Sequence, residues 1–400
     1  MSEMLEYPEI RRILLEHSRP VEWETVALDE SRGRVLAEDV RALFPIPDFR
    51  KSPYDGYAFR AEDTENASRE TPVTLEILEE IPAGSFPTKE VTAGTAVKIL
   101  TGAPIPVGAD AVIPFEKTEF TERQVTLFAP MKAGDNIIRI GEDVDEDTLL
   151  AKRGSEVDLG IASSLACQGI DAVRVYRRPL VGLISTGSEL REPGEIRDPG
   201  QIYNSNRYTF RFALEQCGCR TKYLGLAGDD TEKIAALIEQ ALSDCDAVVL
   251  TGGVSVGDYD LTPAAMERIG AALLARGCAI KPGMACAFAE KNGKLIFGLS
   301  GNPASSITSF YTVVQPVIRT LCGHSNPIPA EIDLILADGF PKRSPMTRLL
   351  RGRLDPETGR FYPADRQGNV VISSMIGCNA MAVIPKGSPA VAAGARVKGF

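Results

Sequence analysis

The stretch LTGGVSVGDYD, residues 250–260, follows the apolar run DAVV and spaces Gly252 and Gly257 as a phosphate-cradling loop would. A buried strand running into a glycine turn is what a parallel α/β unit presents at its ligand-binding edge. A phosphate loop, however, carries a lysine directly after its second glycine. This chain has Asp258 there, with Asp260 two residues further on. Any anion held by the loop must find its positive charge elsewhere. Taken alone, Gly252, Gly253 and Gly257 are equally compatible with a tight turn.

The flanks argue for the α/β reading. RRPLVGLISTGSEL gives a buried strand and a turn, NSNRYTFRFALEQCG a helix, and RTKYLGLAGDD a second strand. TEKIAALIEQALSDC places Ile234, Leu237, Ile238, Ala241 and Leu242 on one helical face. Downstream, KLIFGLSGNPASS predicts a strand and then a helix capped by Asn302, with Pro303 in its first turn. Its buried stripe is Ile307, Phe310, Tyr311, Val314, Val317, Ile318 and Leu321. Residues 179–325 are thus expected to form a parallel sheet with right-handed crossovers.

The remainder is assigned by its own patterning. Residues 1–45 read as helices: Ile10, Ile13, Leu14 and His17 share a face, and LDESRGRVLAEDV sets Leu28, Val35 and Leu36 against a charged surface. Short β-like runs between Gly/Pro turns mark residues 46–139 as an inserted β-rich domain, and residues 140–178 return to the helical region. After Pro327 and Pro329 the chain becomes β-like again, predicting a small β-barrel over residues 326–400.

Composition excludes several classes of function. The 400 residues are 44% hydrophobic and 24% charged, as in an ordinary globular chain. No apolar run approaches the roughly 18 residues of a membrane span, and the charged N-terminus does not read as a secretory signal, so a cytoplasmic location is expected. A net charge of −10 argues against a general nucleic-acid binder. Eight cysteines without a C-x-x-C pair do not make a disulfide or zinc framework. With two histidines, His17 and His324, each expected at a surface or cap, catalysis must rest on carboxylates, lysine or arginine, backbone donors and a hard metal.

In an open parallel sheet those groups collect beyond the carboxyl ends of the strands. TGSEL brings Glu189 there, AGDD brings Asp229 and Asp230, and SGNP brings a helix N-terminus suited to an anion. AIKPGMACAFA adds Lys281. Clustered carboxylates repel one another unless a cation lies among them, which makes Mg²⁺ the economical partner. Asp230, just before TEKIAALI, reads as a helix cap, and the acidic run 142–147 as a solvated surface. KSPYDGYAF is either a packed turn or a loop presenting Asp55 to a site.

LDESRGRVLAEDV, KSPYDGYAF, LTGAPIPVGADAV, IRIGEDV, STGSEL, GQIYNSN, TGGVSVGDYD, KPG and GLSGNPASS occur in one order along essentially the whole chain. Together they resemble the molybdopterin molybdenumtransferases, the family that includes the E domain of gephyrin. The resemblance implies a helical N-terminal region, an inserted β-rich domain, a molybdopterin-binding three-layer α/β domain and a C-terminal β-barrel. It also implies a homodimer with an active site shared between subunits. The implied reaction inserts molybdenum from molybdate, or tungsten from tungstate, into adenylylated molybdopterin and releases AMP in an Mg²⁺-dependent step. Molybdopterin-pathway proteins and apo-molybdoenzymes are the implied partners, with no nucleic acid and no membrane.

Carried over by motif, Asp55, Glu189, Asp229, Asp260 and Lys281 resemble catalytic positions, and Glu189, Asp229, Asp260 and Asp143 metal-binding ones. Substrate-binding positions would be Thr101, then Thr186, Gly187 and Ser188 of STGSEL, and Asn204 of NSN. Gly252, Gly253, Ser255 and Gly257 of the opening stretch would add to them, with Pro282 and Gly283 of KPG. Gly301, Asn302 and Pro303 of SGNP and Arg351 of LLRGRL complete the set. The chain departs from the pattern at Gly277 and Met284, where relatives often carry lysine, at Ser300, where proline is usual, and in KSPYDGYA for the commoner SAMDGYA. No acid of the implied site is lost. Two other readings stay open: a molybdopterin adenylyltransferase, which shares the α/β domain, and a gephyrin-like scaffold.

Overall fold

The computed structural model describes residues 4–254 and 261–400. The chain forms two compact units: Met1–Glu38, Arg153–Leu159 and Ala172–Phe400 make one, and Asp39–Lys152 with Gly160–Asp171 the other.

The first unit contains a six-stranded sheet in the order Arg220–Leu226, Leu180–Ser185, Ala247–Thr251, Lys294–Leu299, Cys286–Lys291, Ala272–Arg276. The first four strands are parallel. The last two are antiparallel additions, so the sheet is mixed rather than wholly parallel. The reversal is made at Asn292 and Gly293, which join the paired residues Lys291 and Lys294 with φ of 55° and 76°. Two successive left-handed residues form the two-residue hairpin turn whose twist matches the strands it joins, and Asn-Gly is its favoured sequence.

Alternation along the strands feeds two cores. Val181, Leu183, Val249 and Phe297 face one side, against Ile10 and Leu14 of the helix Tyr7–Glu16, Phe210 and Leu214 of Ser205–Gln216, and the helical run 303–321. Ile184, Val248, Leu250 and Ile296 face the other, against Ile234 and Ile238 of Thr231–Asp244 and Met266 of Leu261–Arg268. The domain therefore has three layers. Helix Tyr7–Glu16, which the sequence division assigns to a separate region, contributes directly to the first of these cores.

Local chemistry explains the ends and bends of these elements. Asp230 caps Thr231–Asp244, accepting from the N–H groups of Glu232 and Lys233 at 3.0 and 3.2 Å. Asn302 occupies the cap position before Pro303, but its side chain makes no capping bond; the Ser300 hydroxyl instead accepts from the Asn302 N–H at 3.2 Å. The run that follows passes through a π-turn at Phe310–Val314 before Pro316, whose missing N–H an unbroken α-helix would need. The reading of LDESRGRVLAEDV as a helix is corrected. Only Leu28–Glu30 form a 3-10 turn, and Gly33, at φ 68°, releases the chain so that Val35 and Leu36 bridge Glu156 and Val175 as extended backbone.

The C-terminal strands Thr347–Asp355, Arg360–Pro363, Ile332–Leu336, Arg396–Gly399 and Ala380–Ile384 close into a five-stranded barrel, since the first also pairs with the last. Leu334, Leu350, Phe361 and Ala382 fill it. In the second unit a curled six-stranded sheet runs Ala111–Pro114, Gly56–Phe59, Thr95–Ile99, Val73–Ile81, Gln124–Leu127, Thr118–Phe120. Among the described residues no helix is long and apolar enough to cross a membrane.

His17 sits at the C-cap of the first helix, whereas His324 is half-buried, its Nδ1 3.3 Å from Arg319 Nη2. Burial first, and the Arg319 charge second, depress its pKa from 6.5 to about 4. Between those two values the unfolded chain binds a proton that the folded chain does not, so stability falls as pH drops from 6.5 toward 4. Urea unfolding of wild type and His324→Gln at pH 7.5 and pH 5 should show the wild type losing more of its midpoint on acidification than the variant.

Candidate functional site

Strands ending at Ser185, Leu226, Thr251 and Leu299 deliver four loops to one edge of the sheet. Thr186 is buried there, donating from its N–H at 2.9 Å and its hydroxyl at 3.3 Å to the Thr251 carbonyl. Gly187 follows at φ 136°, and the Glu189 carboxylate folds over it so closely that a methyl group on Gly187 would collide with it. Ser188 and Asp229 exchange bonds: the Ser188 N–H donates to Asp229 Oδ2 at 3.2 Å, and the Asp229 N–H to the Ser188 hydroxyl at 3.1 Å.

These bonds tie two loops into one platform bearing the exposed carboxylates of Glu189 and Asp229. Neither is ion-paired among the described residues. Such unpaired, all-oxygen donors fit a hard divalent cation that completes its shell with water and substrate phosphate. Among the described residues no three acidic, His or Cys side chains could hold an ion unaided. Asp260, the acid expected from the opening stretch, lies with Ser255 and Gly257 outside the described residues.

The described part of that stretch is held by backbone contacts. The Gly252 N–H donates to the Leu299 carbonyl at 3.0 Å, and the buried Thr262 hydroxyl donates to the Gly252 carbonyl at 2.9 Å. At φ 103°, Gly252 passes so close to Thr186 that a side chain would strike the threonine's oxygens, and Gly253 has a φ of 63°. Gly301 packs against Gly252, and its carbonyl accepts from Asn206 Nδ2 at 2.9 Å. Thr186, Gly252, Gly253 and Gly301 therefore meet along one edge.

Asn204 has a different setting. It is buried, its Oδ1 accepts from the Ser185 hydroxyl and the Arg207 N–H, and its Nδ2 donates to Glu192 Oε1 at 2.9 Å and to Tyr223 at 3.1 Å. Every polar atom of its side chain is thus engaged with the protein, tying Ser185 and Glu192 to the start of the helix Ser205–Gln216. Burial works against the Glu192 charge, but bonds from Tyr223, Asn204 and Arg207 outweigh it and hold that carboxyl below its ordinary range. Burial and Glu192 together push the Tyr223 hydroxyl well up.

Lys281, Pro282 and Gly283 reach the same edge because the strand they precede, Cys286–Lys291, runs antiparallel, with Cys286 beside Leu299. The buried Ser309 hydroxyl donates to the Gly283 carbonyl at 3.0 Å. A cavity of about 210 Å³ brings Lys281, Pro282, Gly283, Ser300, Asn302 and Asn369 together. Pro303 opens the helix behind it. Arg351 does not line this cavity: it is buried in the barrel beside a separate one with Tyr311, Gln315 and Met375, where its guanidinium donates to the Ser374 hydroxyl at 3.1 and 3.2 Å and to the Gly368 carbonyl at 3.3 Å, while Nη1 has no partner among the described residues. Desolvation lowers its pKa.

The second unit brings Asp55 and Thr101 together. Asp55 Oδ1 accepts from the Thr101 N–H at 2.7 Å and from its hydroxyl at 2.8 Å, and the backbone bond, then the hydroxyl, hold the carboxyl below its ordinary range. Gly56, which opens the strand after Asp55, lets that strand lie close against Ala111–Pro114, since a side chain there would overlap the Ile113 carbonyl. Asp143 is exposed on this unit, its N–H donating to the Ile46 carbonyl at 3.0 Å.

Three family profiles match in succession: the MoeA N-terminal region (domain I and II) over residues 5–169, a probable molybdopterin binding domain over 182–320, and the MoeA C-terminal region (domain IV) over 333–398. A molybdopterin molybdenumtransferase of Bacillus subtilis is 38% identical over 94% of this chain and 89% of its own length. The chain belongs to the molybdopterin molybdenumtransferase family. A family member of the same description from Staphylococcus epidermidis is 37% identical over 96% of this chain and 92% of its own. The crystal structure of a molybdopterin biosynthesis moeA protein from Pyrococcus horikoshii OT3 superposes with a TM-score of 0.87 at 32% identity, covering 99% of each chain.

Glu192, Tyr223 and Arg207, which surround Asn204, and Asn369, which lines the Lys281 cavity, were not singled out by sequence reasoning. Glu192 lies three residues beyond STGSEL and has no signal of its own; Asn369 joins the site only through barrel topology. Thr101→Val removes one of the two donors to Asp55 and keeps the N–H. In a ¹³C-detected NMR titration the Asp55 carboxyl pKa should move part of the way back up toward 3.8.

Proposed function

We propose that this chain inserts molybdenum from molybdate into adenylylated molybdopterin, with Mg²⁺-dependent cleavage of the phosphoanhydride and release of AMP. The observation that carries this reading is the separation of charge along one sheet edge. Glu189 and Asp229, without an ion pair among the described residues, stand on one pair of loops, and Lys281 stands with Asn302 in a cavity on the next pair. Whole-length family membership supports it, and the relatives matched along the chain are named for the molybdenum transfer rather than for adenylylation. The adenylyltransferase reading is accordingly not favoured.

Glu189 and Asp229, with Asp260, would hold Mg²⁺, which supplies neutralisation of charge on the phosphoanhydride oxygens when bound. Lys281 offers positive charge to a tetrahedral oxyanion; the N–H groups that open the 303–321 helix do not, because those of Asn302, Ala304, Ser305 and Ser306 already donate to Ser300, Asn369 and Asn302. The glycines at 252, 253 and 301 leave room for close approach of a flat ligand to the backbone. Lys281→Met should lower AMP release about 10²–10³-fold, as expected for removal of a preorganised oxyanion donor. Asp260→Ala should also lower it by orders of magnitude, both variants keeping wild-type circular dichroism. The assay follows AMP together with reconstitution of a cofactor-dependent apoenzyme. Wild-type protein that releases no AMP but adenylylates molybdopterin from ATP would replace this reading.

The active form is proposed to be a homodimer in which the Asp55–Thr101 loop of one protomer serves the acidic edge of the other. Asp55→Asn and Glu189→Gln, each inactive alone, should regain activity when mixed into heterodimers, because one of the two sites then carries both native residues. No recovery in verified heterodimers would place both groups in one protomer's site.

A further inference from the structure

Ile280 and Lys281 leave the α/β edge and pair in parallel with the start of the barrel strand Thr347–Asp355, with Lys281 registered opposite Arg348. Directly paired residues on adjacent strands project to the same face, roughly 5 Å apart. Two cations in that relation repel each other unless an anion lies between them. Both side chains line a cavity of about 600 Å³, together with Lys342, Gln367 and Asn369. Asp338 and Asp365 also line it, yet neither pairs with Lys281, Lys342 or Arg348 among the described residues.

Arg348 is held in place without a carboxylate. Its guanidinium carbon sits 4.9 Å from the centroid of the Phe340 ring, a cation–π contact that fixes the group and leaves its edge free. Its Nε is buried with no hydrogen-bond partner among the described residues. Desolvation lowers the pKa of the group, the direction expected for a cation short of counter-charge.

We propose that Arg348 is a substrate-binding residue that clamps a tetrahedral oxyanion together with Lys281. The proposal rests on the function given above and adds a residue to it. The oxyanion reaches the clamp either as free molybdate or as the phosphate group of the pterin substrate. A planar guanidinium can donate two parallel bonds to such a group, while the lysine supplies the second charge that a dianion requires.

Equilibrium dialysis of the full chain against molybdate alone, without pterin, reads the first source. The KM for adenylylated molybdopterin reads the second. Arg348→Met should weaken molybdate binding about 10–100-fold, the worth of a charge-assisted hydrogen bond, and Arg348→Lys should restore part of it. A rise in the pterin KM with molybdate binding unchanged would assign the clamp to the phosphate. If neither quantity moves in a variant with wild-type thermal unfolding, the proposal is overturned.

Should Arg348→Met fail to fold, phenylglyoxal labelling of Arg348 in the wild type provides the second measurement. Protection by molybdate or by the pterin substrate is expected, and equal labelling with and without both overturns the proposal. Wild-type protein that binds molybdate but releases no AMP would refute the proposed function and leave the dialysis result readable. An active wild type matched by Arg348→Met would refute the role of Arg348 alone.

Discussion

The Asn292–Gly293 turn is the constraint on which the site depends. Because it reverses the chain, Cys286–Lys291 enters the sheet from the edge where the parallel strands finish. A parallel strand at that position would have started at the opposite edge, carrying Lys281, Pro282 and Gly283 some 20 Å away. One pair of left-handed residues therefore sets the sign of charge available beside SGNP. The acidic platform of Glu189 and Asp229 depends on ordinary post-strand loops, but the cation reaches the edge only through this reversal.

The two halves of the edge are held by different forces. On the acidic side, loops are joined by reciprocal bonds between Ser188 and Asp229 and by the cluster of the half-buried Glu192 and Tyr223 around the buried Asn204. On the side of the glycines, Thr186, Gly252 and Gly301 are held by backbone proximity, and space rather than charge is the limiting quantity. Like charges are thus kept on rigid supports while the ligand surface stays free of side chains.

Much of this was legible in the sequence because period and turn chemistry agree there. The stripe from Ile307 to Leu321 is buried, with Tyr311 partly so, and Asp230 caps its helix. The apolar runs at 180–185, 247–251 and 294–299 are adjacent parallel strands. The mixed sheet escaped the reading, although EKNGK carries the strongest short-range hairpin signal. LDESRGRVLAEDV was misleading for a different reason: its apolar spacing suits a helix, but Val35 and Leu36 find partners in Glu156 and Val175, more than a hundred residues away. Arg348 and Asn369 could not have been found locally, since they meet Lys281 only where Ile280 and Lys281 pair with the barrel strand and the barrel loop folds over them.

The strand Thr347–Asp355 divides its edge between two neighbours: its first residues pair with Ile280 and Lys281, its later ones with Arg360–Pro363. The barrel is consequently stitched to the sheet domain by the same backbone positions that present the two cations. Any swing of the barrel must stretch that stitch and part Lys281 from Arg348, so an anion seated between them as proposed would act as a mechanical latch, stiffening the joint by the same contacts through which it is recognised.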